Sequence, residues 1–442
     1  MNTSSPPSRS RLVVVVLCFF TIVADGYDLI IYGAAVPKLL DEPGWALTEG
    51  QVGAIASWTL IGLLVGFLGA GPLTDRIGRR KIMIIGVAWF SVGSLLSALA
   101  PTIATFGVAR FLTGIGIGAV VPSAVALTAE YAPEHRRQLY NGLMLTGYSV
   151  GGIFSALSAM LILPSLGWRA LFGIASIFVV LAVAMYFLLP ESVHNLADRG
   201  RLDEARSVAT QYGIDLAEIQ PSVQPESRGY RQLRQRRYLV PLMLFVIVSL
   251  CVNIVVYGLN TWLPELMRHA GYNLGSALAF LFVLQLGAVV GTVGGSLLAD
   301  RFGSTRVIIG LIVIGVASLL AMSQNLSTFW LMVAVAGAGA GGTGTSSLTY
   351  GFIASRFPSS CRGSAVGVSM GLGRVGSILG PMVGAWVLGL GFAYQWSFYA
   401  FAIPAAIAAV VIAIIGRGVR RTDLDAESDP QNQRTAIETR SV

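Results

Sequence analysis

Charged side chains are scarce in this chain. Asp, Glu, Lys and Arg make up only 12% of the 442 residues, whereas apolar types make up 54%. Cysteine and histidine are also rare, with three of each. The cysteines are isolated and no histidine has a partner at ligand spacing, so neither a disulfide framework nor a metal site is predicted. The sequence contains no nucleophile and base pair, no phosphate loop and no metal cluster, and therefore does not predict an enzyme.

Long apolar runs follow one another along the chain, which excludes a soluble domain. A membrane-spanning helix needs about 20 consecutive apolar residues, and apolar length with Gly and Pro breaks predicts twelve spans. They are residues 12–38, 50–73, 81–99, 102–129, 138–163, 169–190, 238–262, 274–299, 305–323, 327–354, 363–390 and 395–416. The predicted fold is an all-α membrane protein with twelve transmembrane helices in two pseudo-symmetric six-helix bundles.

Lysine and arginine are unevenly distributed among the predicted loops. One long polar segment, 191–237, separates an N-terminal bundle (1–190) from a C-terminal bundle (238–416), and a polar tail (417–442) follows. If both termini are cytoplasmic, 25 of the 30 Lys and Arg residues lie in cytoplasmic segments and three in outer loops. This asymmetry predicts cytoplasmic termini, a cytoplasmic central loop and a cytoplasmic tail. It also accounts for the net charge of +8 without a nucleic-acid partner.

The two bundles repeat each other at a constant offset of 225 residues. The aligned pairs include Tyr32-Gly33 and Tyr257-Gly258, Asp75-Arg76 and Asp300-Arg301, Gly142 and Gly367, and Gly151 and Gly376. Repeated bundles are typical of secondary transporters, in which the substrate site lies between the repeats near the membrane midplane. The repeat therefore predicts a transporter that works by alternating access.

Two acids, Asp25 and Asp28, lie inside the first span. A charge at the centre of a membrane helix costs about 2.5 to 3.5 kcal/mol on insertion scales, so such residues are functional candidates. Residues three apart share a helix face, and two close carboxylates in a poorly solvated site cannot both ionise cheaply, so one is expected to carry a proton. Arg110 in the fourth span is predicted to adjust their proton affinity. The alternatives are that the acids merely hydrogen-bond a neighbouring helix and that Arg110 only ties the fourth span to the first.

Arg374 is the second cation inside a predicted span. A guanidinium binds a carboxylate through two parallel hydrogen bonds, and no acid is predicted inside a span of the second half. Arg374 is therefore predicted to bind an anionic substrate, with a structural ion pair as the alternative. Further candidates for the wall of the binding pocket are Tyr27, Tyr148, Asn253, Tyr257, Asn260, Gln285 and Trp386. Trp386 fits a position at the membrane interface equally well.

A charged loop, Gly71–Lys81, joins the second and third spans, and Asp300–Gly303 repeats it in the second half. Gly78 permits a tight turn, Asp75 can face a helix N-terminus and Arg79 can face a carboxylate. Glu130, at the end of the fourth span, is predicted to form a salt bridge with a loop arginine such as Arg79. The residues assigned to conformational control are Asp75, Arg76, Arg79, Glu130, Asp300 and Arg301.

The loop Asp75-Arg76-Ile77-Gly78-Arg79-Arg80 resembles the loop motif of the major facilitator superfamily. Within that superfamily the chain resembles the aromatic acid/H⁺ symporters. This resemblance lies in Asp25-Gly26-Tyr27-Asp28, Pro190-Glu191-Ser192, Trp262-Leu263-Pro264 and Gly373-Arg374-Val375-Gly376. It implies proton-driven uptake of benzoate and hydroxybenzoates, with Asp25 and Asp28 handling the proton. In the second-half loop, Ser304-Thr305 replaces the Arg79-Arg80 of the first half, so no matching contact is implied there.

The leading hypothesis is a symporter of the bacterial inner membrane that imports a small aromatic carboxylate, benzoate or a hydroxybenzoate, with H⁺. Arg374 would hold the carboxylate and Asp25 and Asp28 the proton. The proton is the coupling ion, no other cofactor is predicted, and the protein is expected to act as a monomer. The alternatives are a drug/H⁺ antiporter with the same scaffold and a non-transporting receptor for aromatic acids.

Overall fold

The structure is a computed structural model that describes residues 8–133, 136–214, 231–358 and 361–418. Within these ranges the regular elements are helices and there is no strand. Most of the predicted tail 417–442, and residues 215–230 of the predicted central loop, lie outside the described residues. The part of the central loop before residue 215 contains two short helices, α7 (Val193–Asp198) and α8 (Leu202–Tyr212).

Six helical elements form the first half and seven form the second, because one helix of the second half is interrupted. The first half consists of α1 (Ser8–Leu40), α2 (Glu49–Ile77), α3 (Arg79–Ala98), α4 (Ile103–Tyr131), α5 (Arg137–Ser176) and α6 (Val179–Leu188). The second half consists of α9 (Arg236–His269), α10 (Leu274–Phe302), α11 (Ser304–Met322), α12 (Thr328–Gly339), α13 (Thr345–Arg356), α14 (Arg362–Gly389) and α15 (Gln395–Gly418). A π turn, Ala340–Gly344, connects α12 to α13.

Two irregular elements explain the difference between ten apolar helical runs and twelve membrane crossings. Ten helical runs of the described residues are long and apolar enough to span a membrane, and one of them covers 50 residues, Leu139–Leu188. Gly167 breaks that run with a φ of 72°, so it makes two crossings. The interrupted helix α12–α13 supplies another crossing, which completes the twelve predicted helices. The predicted fold class is therefore confirmed.

Glycine allows the same close helix packing in both halves. A Cβ added to Gly151 on α5 would overlap the carbonyl oxygen of Val23 on α1. A Cβ added to Gly376 on α14 would overlap the carbonyl oxygen of Leu250 on α9. Small residues let membrane helices approach this closely because van der Waals contact between backbones replaces side-chain packing. The 225-residue repeat is thus visible as a repeated helix pair.

The two halves meet at the end of the molecule where α1 and α9 finish, which we call the closed end. There Arg268 Nη1 lies 2.8 Å from Asp41 Oδ2 and also donates to the Pro37 carbonyl oxygen. Nearer the midplane, Ser57 Oγ on α2 donates to the Ile378 carbonyl oxygen on α14 at 2.7 Å. At the opposite end, which carries the α2–α3 loop and which we call the loop end, a Cβ added to Gly367 on α14 would meet nothing within 4 Å. The polar contacts between the halves described here thus lie at the closed end and nearer the midplane.

Candidate functional site

A cavity lies between the two halves and receives residues from both. Leu29, Arg110 and Tyr148 line it from the first half, and Tyr257, Asn260 and Thr261 line it from the second. Its empty volume, including space open to solvent, is about 320 Å³. A central cavity between two repeats is the position at which secondary transporters bind their substrates.

Asp28 and Arg110 form an ion pair inside the first half. Arg110 Nη1 lies 2.8 Å from Asp28 Oδ2, and both side chains are buried. Ser94 Oγ on α3 donates to Asp28 Oδ1 at 2.6 Å, and Arg110 Nη2 donates to the backbone oxygen of Asp28 at 3.3 Å. The guanidinium also lies over the ring of Phe172, with its carbon 5.2 Å from the ring centroid. Both carboxylate oxygens of Asp28 therefore have partners, and one of these, Ser94, was not predicted.

Asp25 is in a different environment although it is less than one helical turn away. Its side chain is 6% exposed, and Oδ1 has no hydrogen-bond partner among the described residues. The opposite charge that acts on it comes from Arg374, across the interface between the halves. A buried carboxylate without donors is costly to keep ionised. Of the two acids, Asp25 is therefore the one whose charge is not already compensated by a direct ion pair.

Arg374 lies on α14 at the interface and is held from α9. Its Nη1 donates to Tyr257 Oη at 2.7 Å. Asn253 Nδ2 donates to the carbonyl oxygen of Gly373 at 3.0 Å, so Asn253 fixes the backbone next to Arg374 rather than lining the cavity. Across the interface, the hydroxyl of Tyr148 on α5 is buried without a hydrogen-bond partner in the described chain. Polar groups of both halves thus meet at one site.

Besides Asn253, two residues predicted to bind substrate, Tyr27 and Trp386, do not lie at this site. The hydroxyl of Tyr27 is 3.0 Å from Ser158 Oγ, and its ring packs edge-on against Phe178. Tyr27 therefore points into the first half. Trp386 is 69% exposed and continues a row of exposed apolar side chains on α14 that includes Leu379 and Met382. That row faces lipid at the closed end, so the interfacial alternative for Trp386 is the better one.

The expectation that the second half has no acid within a membrane helix is wrong. Helix α9 extends to His269, and Glu265 near its end is 3% exposed. The helix continues past the predicted boundary at residue 262 and includes Pro264. Glu265 lies within 4 Å of Arg268 and of His269, its neighbours on the same helix. It belongs to the closed end and is not an ion-pair partner of Arg374, so a ligand remains the better partner for that guanidinium.

The predicted salt bridge between Arg79 and Glu130 is confirmed. Arg79 Nη1 lies 3.2 Å from Glu130 Oε2, and Ser192 Oγ donates to the same oxygen at 2.6 Å. Glu130 also accepts from the backbone N–H groups of Val193 and His194, at the start of α7. The negative charge is stabilised there because the first N–H groups of a helix have no partners inside it. This cluster ties the α2–α3 loop, α4 and the central segment together.

Other residues assigned to conformational control form fewer contacts. The Asp75 side chain lies outside the described residues. Arg76, Asp300 and Arg301 are exposed at the loop end, and Arg301 lies over the ring of Phe302. Within the described part of the chain the second-half loop therefore shows no counterpart of the Arg79–Glu130 bridge, consistent with the replacement of its arginines.

The arrangement of two six-helix repeats around a polar central cavity is that of a secondary transporter. A family model described as Major Facilitator Superfamily matches residues 18–322 and 285–440. The benzoate transport protein of Acinetobacter baylyi is 34% identical over 91% of this chain and 89% of its own length. The 4-hydroxybenzoate transporter of Pseudomonas putida is 32% identical over 93% of this chain and 94% of its own length.

The fold also agrees with a solved transporter. The inward-open conformation of the xylose transporter XylE from E. coli superposes with a TM-score of 0.74 at 17% identity, over 94% of this chain and 99% of that one. The chain belongs to the major facilitator superfamily and, within it, to the aromatic acid transporter family. It is a multi-pass membrane transporter and not an enzyme, and the family resemblance found in the sequence is confirmed.

Proposed function

We propose that this protein imports a small aromatic carboxylate, benzoate or a hydroxybenzoate, together with H⁺. Similar proteins transport benzoate and 4-hydroxybenzoate, and Tyr257, which holds Arg374, lines the cavity. The observation that carries the proposal is Arg374, which is held by Tyr257 between the two halves and has no ion-pair partner among the described residues. A substrate carboxylate supplies that partner, because the planar guanidinium can donate two parallel hydrogen bonds to it.

The proton is taken by Asp25. Both oxygens of Asp28 are already bonded to Arg110 and Ser94, whereas Asp25 Oδ1 has no donor in the described chain. When a substrate anion pairs with Arg374, the positive charge that favours ionised Asp25 is compensated by the substrate. Asp25 then binds a proton, because an uncompensated buried carboxylate is costly. The substrate anion and the proton therefore bind to the same state of the transporter.

This coupling solves an energetic problem of import. An anion that moves toward a negative interior is opposed by about 2.3 kcal/mol per charge per 100 mV. One proton carried with each anion removes that opposition, and a pH gradient then drives accumulation. The proton is the coupling ion and no other cofactor is involved.

The loop end faces the cytoplasm in this proposal. The α2–α3 loop and the central segment hold many of the 30 Lys and Arg residues, and basic loops remain on the cytoplasmic side of bacterial inner membranes. Both termini are then cytoplasmic, and the closed end faces outward. Each bundle pair contains a complete site, so the monomer is the functional unit.

Uptake of labelled benzoate and 4-hydroxybenzoate into proteoliposomes tests the proposal. An acidic outside medium should drive accumulation, and a protonophore should abolish it. Asp25→Asn should retain exchange of labelled for unlabelled substrate but lose accumulation. Arg374→Lys should raise KM for the acid, because lysine keeps the charge without the fork of donors. Accumulation that survives the protonophore, or Asp25→Asn with wild-type accumulation, would contradict the proposal.

A further inference from the structure

An amide pair lies beside the cavity and has no part in the charge exchange described above. Gln285 Nε2 on α10 donates to Asn260 Oδ1 on α9 at 3.0 Å. The two residues are 1% and 5% exposed, and Asn260 lines the cavity. The hydrogen bond uses one polar atom of the Asn260 amide and leaves the other without a partner among the described residues. If both amide groups are flipped, the Asn260 atom without a partner changes from nitrogen to oxygen. In either orientation one Asn260 amide atom has no partner.

The pair is held rigidly because glycines of the first half pack against it. A Cβ added to Gly33 on α1 would overlap the Asn260 carbonyl oxygen. A Cβ added to Gly152 on α5 would lie 2.6 Å from Gln285 Nε2. Both contacts cross the interface between the halves on the closed-end side of the cavity. The backbone at Asn260 and the amide of Gln285 are therefore both packed against the first half, which supports the position of the Asn260 amide.

Asn260 lies close along α9 to Tyr257, the residue that holds Arg374. It follows Tyr257, which holds Arg374, by three residues on α9. This spacing corresponds to about 4.5 Å along a helix axis and keeps the two side chains on neighbouring positions of one face. Tyr257 and Asn260 both line the cavity, so the cavity wall beside Arg374 continues to Asn260.

Three other hydroxyl groups of the cavity are already occupied, whereas that of Tyr148 has no hydrogen-bond partner in the described chain. Thr59 and Thr261 donate to carbonyl oxygens of their own helices at 3.1 and 2.9 Å. Tyr32 donates to the carbonyl oxygen of Val52 at 2.7 Å. Leu29 and Leu60 supply apolar wall. In the described cavity, the Asn260 amide and the Tyr148 hydroxyl therefore offer polar atoms that a ligand can use.

We propose that Asn260, positioned by Gln285, recognises a hydroxyl group on the substrate ring and makes the transporter selective for hydroxylated aromatic acids over benzoate. A hydroxyl both donates and accepts, so it pairs with either atom of the amide. Benzoate leaves that atom unpaired, and leaving a buried polar group unpaired lowers kcat/KM for the analogue. The inference rests on the proposed function, since it assumes that the carboxylate is bound at Arg374.

The test compares benzoate with 3- and 4-hydroxybenzoate in full-length protein in proteoliposomes. Wild-type protein should show a kcat/KM about 10- to 100-fold higher for one hydroxylated acid than for benzoate. Asn260→Leu, which has a similar volume, should remove this preference, because no amide remains for the ring hydroxyl to bind or for benzoate to leave unpaired. Thr261→Val is the matched control, because its hydroxyl is already bonded to its own helix, and it should keep the preference.

Gln285→Met provides a second variant that keeps the packing volume and removes the hydrogen bond to Asn260. It should reduce the preference, because Asn260 then loses the hydrogen bond that positions it. A wild-type protein that takes up benzoate as well as the hydroxylated acids overturns the inference while the proposed function stands. Equal loss of all three substrates in Asn260→Leu and Gln285→Met also overturns it, because it indicates a structural role for the pair. Absence of uptake of any ring acid by wild type contradicts the proposed function itself.

Discussion

Replacing each acid of α1 by asparagine should separate a structural carboxylate from a coupling carboxylate. Asp28→Asn leaves the buried guanidinium of Arg110 without a charged partner. Removing one member of a buried ion pair costs about 3 to 5 kcal/mol. Asparagine retains one oxygen for Ser94 or Arg110, so we expect the lower end, about 3 kcal/mol. That loss reduces the ratio of folded to unfolded protein more than about 100-fold.

Asp25→Asn should behave differently because Asp25 has no hydrogen bond in the described chain to lose. We expect its stability to stay within about 1 kcal/mol of wild type. Thermal unfolding of the purified variants in the same detergent measures both effects. The double variant Asp28→Asn/Arg110→Gln should recover much of the loss, because it removes the uncompensated charge. Asp28→Asn unfolding at the same temperature as Asp25→Asn would refute the assignment of roles.

Three further outcomes follow from the geometry. Gly151→Ala should lower the unfolding temperature because its Cβ overlaps a carbonyl oxygen of α1, whereas Gly142→Ala, where an added Cβ meets nothing within 4 Å, should not. A hydrogen bond to Glu130 raises the pKa of His194 above its ordinary value, against the opposing effect of partial burial. The folded state therefore binds this proton more tightly than the unfolded state, and the stabilisation by His194 should be complete below about pH 6.5 and disappear as pH rises through the raised pKa. Unfolding of wild type and His194→Gln across that range measures the difference, and a constant difference would contradict it. Trp386→Leu should leave uptake kinetics unchanged because the side chain is 69% exposed on the lipid-facing side, and a changed KM would place it at the site.

The sequence was sufficient to predict the helices and their repeat. Apolar length depends on bilayer thickness, which is a property of the solvent and not of the neighbours of a residue. The 225-residue offset predicted Gly151 and Gly376 as a pair, and the structure gives both the same role. The bridge between Arg79 and Glu130 was predictable because both charges lie at helix ends near the same surface.

The site was only partly predictable from the sequence. Helical spacing shows which residues share a face, but it does not show which neighbour that face contacts. Asp25 and Asp28 share a face and still differ, because Ser94 and Arg110 reach only the second of them. A buried serine facing an acid on another helix leaves no distinctive pattern in a single apolar span.

Tyr27 and Asn253 show the same limit. Both are polar residues on helices that border the cavity, and both bond away from it, to Ser158 and to the backbone of Gly373 respectively. The sign that Asn253 positions rather than binds is Gly373, where an added Cβ would come within 3.3 Å of the amide nitrogen of Asn253. Such close approach is a property of packed helices and becomes visible only in three dimensions.

The π turn at Ala340–Gly344 limits how far the internal repeat can be used. A π turn contains more residues than an α turn, yet the sequence offset is the same before it, at Gly114 and Gly339, and after it, at Pro133 and Pro358. The segment Thr345–Arg356 is therefore rotated about its own axis by roughly 100° relative to its counterpart in α4. Substitutions designed by copying a residue from one half to the other will point the same way before this turn and in a different direction after it.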